Sequence, residues 1–319
     1  MIYDEWNNLG EVIVGTSYED CTLAGLEQIV DETNEDLDTL AKMLENEWCT
    51  VHRPKQPEFA QTKEGGVEIH HPIMPRDSFG FFGDKMIQTQ NLKESKQAEL
   101  GLYEPIVNSH MLSRRYGLWR MPHPSIDPDH GVDVLWSASN LMKCGYDILY
   151  TQPVERDETN GIGTQAGLDW IATRLGTYNF IEVPTGGHVN SKLTLLKPGL
   201  LMTHNEKFIP KELRKWDKII VEQIKKPRFS DTYTQTYLKN FKNWKDWTGK
   251  RDSILEINCL VIRPDKIITT AQSKDNIKKM EDKGIEVVIW DHRHRYFWDG
   301  GAHDCTQDTA RGGERKKWR

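Results

Sequence analysis

Short apolar runs separated by tight turns dominate the hydropathy pattern of this chain. Four stretches read as strand, turn, strand: 78–90 around Gly83-Asp84-Lys85, 133–152 around Cys144-Gly145-Tyr146-Asp147, 193–203 around Lys197-Pro198-Gly199, and 255–270 around Arg263-Pro264-Asp265-Lys266. Val, Ile, Leu and Phe fill the flanks, while Gly, Pro and Asp supply the turn chemistry. Three stretches carry a helical period. Residues 35–48 place apolar side chains at 37, 40, 41, 44 and 48; 164–175 is a second such stretch, and 274–283 is a third, closed by Gly284. Strands at 180–184 and 285–291 follow two of these helices, so the recurring unit is hairpin, helix, strand.

The turn residues 83, 145, 198 and 264 are spaced by 62, 53 and 66 positions, a loose repeat longer than solenoid periods. About five such units can close on themselves, which leaves only short sheet edges and gathers loop ends around a shared centre. The strand at 11–15 and the segment after Gly300 would complete the ring. An ordinary α/β domain with a mixed sheet is the alternative, and no glycine-rich fingerprint specifies a nucleotide-binding version. No linker or low-complexity segment divides the sequence, so residues 1–319 are read as one domain.

Composition narrows the class. Of 319 residues, 37% are hydrophobic and 28% charged, yet 11 Trp, 10 Tyr and 9 Phe argue for a packed fold over disorder. No apolar run is long enough for a membrane-spanning helix, and the first residues lack a basic patch leading into an apolar stretch. A cytoplasmic protein is expected, with no membrane partner. A net charge of −6 argues against a nucleic-acid partner, and the basic end Arg315-Lys316-Lys317-Trp318-Arg319 reads as a solvated tail. Cysteines 21, 49, 144, 259 and 305 are odd in number and form no CxxC pair, which suits free thiols in a reducing compartment.

Three segments set polar residues beside turn formers: Met74-Pro75-Arg76-Asp77-Ser78, Thr185-Gly186-Gly187-His188-Val189-Asn190, and the run from Asp299 to Asp308. Paired glycines before a His or Cys allow close backbone approach to a ligand, or simply a sharp turn. Together they offer a Cys and a His, the parts of thiolate catalysis. His188 and Cys305 lie 117 positions apart, so the fold must unite them. A zinc site drawn from His292, His294, His303 and Cys305 is the competing reading; in a strand, 292 and 294 would merely share a face. No metal is expected, and the His70-His71 pair is given no role.

The segment at 3–15 (YDEWNNLGEVIVG), the Pro75-Arg76-Asp77 motif, the Gly187-His188-Val189-Asn190 loop and the GGAHDCT stretch resemble, in order over nearly the whole chain, the arginine:glycine and inosamine-phosphate amidinotransferases. The resemblance implies a five-bladed, pseudo-symmetric α/β propeller of ββαβ-type repeats around a central active site. It implies Cys305 as a nucleophile that takes up the amidino group of arginine, His188 as general acid and base, and Asp77 as a holder of the guanidinium. Lys207 falls near a family arginine and Asn258 near a family asparagine; His303 joins the binding set. No cofactor is implied, and the substrates are arginine and a small primary amine of the glycine type. Two positions depart from the pattern. Asn190 and Ser137 stand where the family has aspartates, with Asp133, on the same strand face as 137, as a substitute. The rival functions are a guanidino hydrolase, in which water discharges the cysteine adduct, and an arginine-binding homologue without turnover. A homodimer is left open. The charged stretch 211–250, with Trp216, Trp244 and Trp247, is expected to pack by its aromatic rings.

Overall fold

The computed structural model describes residues 1–21, 26–57, 72–90, 94–114, 116–127, 131–153, 163–222, 255–271 and 273–318. In chain order the elements are β1 (Leu9–Val14), α1 (Glu27–Asn46), β2 (Thr50–His52), β3 (Phe79–Phe82), β4 (Lys85–Gln88), α2 (Glu94–Arg114), β5 (Gly117–Arg120), and a small pair β6 (Ile126–Asp127) and β7 (Gly131–Val132). They continue with β8 (Leu141–Cys144), β9 (Asp147–Thr151), α3 (Gln165–Arg174), β10 (Asn179–Val183), β11 (Leu193–Lys197), β12 (Leu200–Thr203) and β13 (Asp217–Ile220). The last are β14 (Leu260–Arg263), β15 (Lys266–Thr269), α4 (Lys274–Glu281), β16 (Glu286–Ile289), α5 (Arg295–Trp298) and β17 (Thr306–Arg311).

Five three-stranded sheets result: β3-β4-β5, β8-β9-β10, β11-β12-β13, β14-β15-β16 and β17-β1-β2. Each pairs an antiparallel couple with a parallel third strand, as β3-β4-β5 shows. The fifth sheet joins the two ends of the chain, with Val14 opposite Thr306. This is the five-bladed α/β architecture read from the repeat, closed by its own termini.

Local signals explain most element ends. Thr164 caps α3, its hydroxyl accepting from the Gly167 amide at 3.2 Å. Ser273 does the same for α4 through Asn276. Gly284 follows α4 with φ +72°, the left-handed conformation a helix end demands. The hairpin predicted from residue 133 pairs only from Leu141, because Ala138–Asn140 forms a short turn of 3-10 helix. Helix α1 begins eight residues earlier than its predicted start, and α2, with Gly101 and Pro105 inside it, was not anticipated. Between β12 and β13 the blade has no α-helix but two short 3-10 turns, Glu206–Phe208 and Lys211–Leu213. Trp216 packs edge-on against the buried Trp6 ring 6.0 Å away; Trp244 and Trp247 lie outside the described residues, as do His70 and His71.

The basic C-terminus is docked through Arg315 and Trp318 and not wholly solvated, while Lys316 and Lys317 stay exposed. Trp318 packs against Trp6 at 5.4 Å, and the Arg315 guanidinium lies 3.7 Å from the Tyr178 ring centre and 4.4 Å from that of Tyr146. Gly145 permits this docking: its φ is +69°, and an added Cβ would lie 1.9 Å from the Lys316 carbonyl oxygen. Gly145→Ala is expected to lift the tail and cost at least about 2 kcal/mol, from left-handed strain alone roughly 1–2 kcal/mol. A red shift of tryptophan emission together with a lowered urea midpoint would check it.

Candidate active site

Each sheet is entered through a tight turn: Pro75–Asp77 before β3, Ala138–Asn140 before β8, Val189–Ser191 before β11, residues 255–258 before β14, and residues 302–305 before β17. The repeat thus brings five stretches that are distant in sequence to one centre, and side-chain bonds join them. Asp77 accepts a hydrogen bond from the Ser139 hydroxyl at 2.8 Å, and its Oδ1 lies 4.0 Å from His188 Nδ1. Ser137 donates to or accepts from Ser139 at 2.7 Å and reaches the Asp77 carbonyl at 3.4 Å. His188 is about one-third exposed, which leaves it reachable from solvent.

A second group lies beside the first. Asn190 donates one amide hydrogen to Asp304 Oδ1 at 2.5 Å and the other to His303 Nδ1 at 3.0 Å. Asn258 donates to Asp304 Oδ2 at 2.8 Å, and its own oxygen accepts from the amides of Gly301 and Asp304. Gly301 is required here, since an added Cβ would stand 2.5 Å from the Asn258 carbonyl oxygen. His303 Nδ1 accepts, so Nε2 carries the hydrogen and donates to Glu5 at 3.3 Å. Burial, with the nearby Arg76 charge, depresses the imidazole to about 4, so His303 is neutral. Burial also drives the Asp304 carboxyl up to about 7, with the Asp77 charge as the next cause. Two carboxyls therefore share the site, one of them poised between its acid and its anion.

Behind this pair lies a buried ionic frame. Arg76 donates through Nε to the carbonyls of His303 and Thr306 and pairs with Asp308 at 2.9 Å. Lys143 pairs with Glu5 at 3.0 Å and with Asp308 at 3.5 Å, while Arg311 holds Asp308 at 3.0 Å. Burial opposes ionisation of Asp308, but Lys143, Arg76 and Arg311 outweigh it and keep the carboxyl well below its ordinary range. Glu5 is held low in the same way, chiefly by Lys143.

The structure thus brings together Asp77, Ser137, His188, Asn190, Asn258 and His303. It does not place Cys305 with them. The thiol is fully buried in an apolar cluster with Val14, Ile73, Trp298 and Ala302. Burial pushes it well above the ordinary thiol range, and the charges of Asp304, Asp36 and Asp77 push further. A thiolate nucleophile needs an accessible, electropositive setting, so this geometry does not support the nucleophile read from sequence. Asp304, the preceding residue, is the one bonded into the centre. Lys207 is exposed on its turn, its backbone amide donating to Asn205 Oδ1 at 3.0 Å. Asp133 is no substitute for an aspartate at 137: it is exposed and accepts from the Ser125 amide and hydroxyl.

The four residues drawn as zinc ligands do not converge. His292 and His294 follow β16 in a turn, not a strand, and face α1, where His294 meets Glu32 at 2.6 Å and His292 lies 3.6 Å from Asp36. The sequence reading missed Ser139, Asp304 and the frame around Arg76. The i, i+2 hydroxyls of Ser137 and Ser139 were a usable signal for the first; nothing local distinguished Asp304 from Cys305.

A five-bladed α/β fold of this kind has known counterparts. The inosamine-phosphate amidinotransferase of Streptomyces griseus aligns with a TM-score of 0.78 at 22% identity, over 99% of this chain and 98% of that one, a likeness of fold. In sequence, inosamine-phosphate amidinotransferase 1 of Streptomyces griseus is 24% identical over 97% of this chain and 96% of its own length. The chain is similar to amidinotransferases from end to end. The L-arginine:L-lysine amidinotransferase of Pseudomonas savastanoi pv. phaseolicola is 22% identical over 98% of this chain and 94% of its own. No family model matches the chain. These relatives are transferase enzymes acting on small molecules, and among the described residues no helix is long and apolar enough to cross a membrane.

Proposed function

We propose that this protein is an amidinotransferase that holds the guanidinium of arginine between Asp77 and Asp304 and passes its amidino group to a primary amine. The observation that carries this reading is the pairing of two carboxyls from different blades beside a reachable imidazole. A planar cation with a fork of N–H donors is matched by such a pair. Binding the cation also removes the repulsion between the carboxyls, so Asp304 loses its proton as arginine enters.

The buried thiol argues against a covalent amidino-cysteine. The chemistry favoured by this centre is direct displacement with both substrates bound. The acceptor nitrogen attacks the central guanidinium carbon, and the bond from that carbon to the ornithine-side nitrogen breaks. His188 takes the proton released by the acceptor and supplies one to the departing amine, which leaves as ornithine. Glycine, lysine and an inosamine phosphate are the acceptor classes that the relatives' names suggest.

Guanidino-labelled arginine offered with each of these amines tests the reading. Ornithine plus a labelled guanidino product is expected. Citrulline and ammonia would instead make the protein a hydrolase. Arginine that binds but stays intact would support the second reading, a binding protein without turnover, which the sealed thiol also favours.

A further inference from the structure

Away from the centre, three side chains from different elements converge. Glu11 on β1, His52 at the end of β2 and His110 on α2 each offer one ligand atom, all within 4.8 Å of one another. Glu11 Oε2 lies 3.2 Å from His110 Nε2 and 3.7 Å from His52 Nε2. The two imidazole rings stand 4.8 Å apart and steeply inclined at 75°, so their nitrogens point inward without stacking.

The tautomer of His110 decides what this cluster can hold. Its Nδ1 lies 2.9 Å from the Ile106 carbonyl oxygen, which can only accept. Nδ1 therefore carries a hydrogen, and the Nε2 lone pair of the neutral ring faces the Glu11 carboxylate. Two electron-rich atoms at that distance need a proton or a cation between them. A second imidazole nitrogen converges on the same oxygen, so a single divalent ion answers all three groups at once. An imidazole whose far N–H is tied to a backbone carbonyl is the usual outer arrangement of a metal-bound histidine.

We propose that Glu11, His52 and His110 bind one divalent zinc-type ion that staples the β17-β1-β2 blade to α2, the helix of the β3-β4-β5 blade. Bond lengths of about 2.0–2.2 Å put tetrahedral ligand atoms roughly 3.3–3.6 Å apart, and two of the spacings here already bracket that range. The third closes by rotation of His52, the most exposed of the three with 28% of its side chain accessible. Three protein ligands leave a fourth position for water. His110 is almost fully buried, so the ion enters past His52 and Glu11. The ion's role is structural, since Glu11 is absent from every contact of the Asp77–Asp304 centre described above.

The test is titration of chelator-treated full-length protein with cobalt(II) and then zinc(II), followed by visible absorption and thermal melting. One equivalent of cobalt giving the intense bands of four-coordination, displaced by zinc with a rise in melting temperature, is expected. Glu11→Gln, His52→Ala and His110→Ala should each weaken zinc at least 100-fold, while His292→Ala leaves it unchanged. If His110→Ala fails to fold, the near-isosteric Glu11→Gln and the exposed His52→Ala still decide. Absence of a stoichiometric cobalt spectrum would overturn the site, as would zinc binding unaffected by Glu11→Gln and His52→Ala. A simple imidazolium–carboxylate pair would then be the remaining account of the cluster.

Discussion

Asp304→Asn is expected to weaken arginine binding about 100-fold at pH 8, while Cys305→Ala changes it by no more than about threefold. The first figure is the order seen when one partner of a buried, hydrogen-bonded charge pair is removed, roughly 2–5 kcal/mol. Asn258 still donates to the oxygen of the new amide, but the new NH2 then faces the Asn190 NH2. A melting curve of the variant therefore accompanies the binding measurement and separates lost charge from lost packing. The pH profile carries the same assignment. Burial first, then Asp77 and Asp299, raise the free Asp304 carboxyl to about 7, while Asn190 and Arg76 pull it back. The cation needs the anion, so affinity should rise about tenfold per pH unit up to 7 and level off above it. Asp304→Asn should flatten that slope. Calorimetry across pH 5.5–8.5 would read both effects; an unchanged slope in the variant, or loss of all turnover in Cys305→Ala, would return the chemistry to the thiol.

Lys143→Met is the second large effect, expected to cost about 3–5 kcal/mol of stability, because a buried ion cluster that loses one member keeps an uncompensated charge. Lys143 is almost wholly buried and serves both Glu5 and Asp308. The sign of its pH dependence follows from the two carboxyls it depresses. Both have folded-state values below their unfolded ones, so their contribution is complete above the unfolded range near pH 4–4.5 and is lost as pH falls through the folded values. The gap between Lys143→Met and the parent protein should therefore be full at pH 7 and shrink in acid. Urea unfolding at pH 7 and pH 3.5 measures it, and an equal gap at both would mean that the lysine stabilises by packing alone. His303 is tied to this frame through Glu5 and Arg76, so loss of Lys143 should also loosen the floor under Asn190.

The hairpins were legible because a strand pair with a tight turn is a local device. Gly83, Gly145 and Gly199 all adopt positive φ, and the alternation around them needs no distant partner. Helices α3 and α4 were legible from their helical period and, for α4, a terminal glycine, and the structure adds a Thr and a Ser cap at their starts. Helix α2 did not, because Pro105 and Gly101 interrupt a pattern that only packing against its blade sustains. The docked C-terminus was equally hidden. A run of Arg and Lys reads as solvated until Tyr146, Tyr178 and Trp6 are in place to receive it.

The sequence by itself determined the repeat, its closure and the turns from which the centre is built. Asp77 and His188 were visible because each sits in a turn motif immediately ahead of a strand. Which neighbour faces inward was decided only by the tertiary structure. Asp304 and Cys305 are consecutive in the turn that leads into β17, and a one-residue step along that turn decides which side chain enters the polar centre and which the apolar cluster. That step is fixed by Asn258, which clasps the amides of Gly301 and Asp304 from a blade whose strand begins more than forty residues earlier in the chain. Contacts of that range leave no periodic mark on a sequence, and the same holds for Glu11, His52 and His110, which become neighbours only when the ring closes.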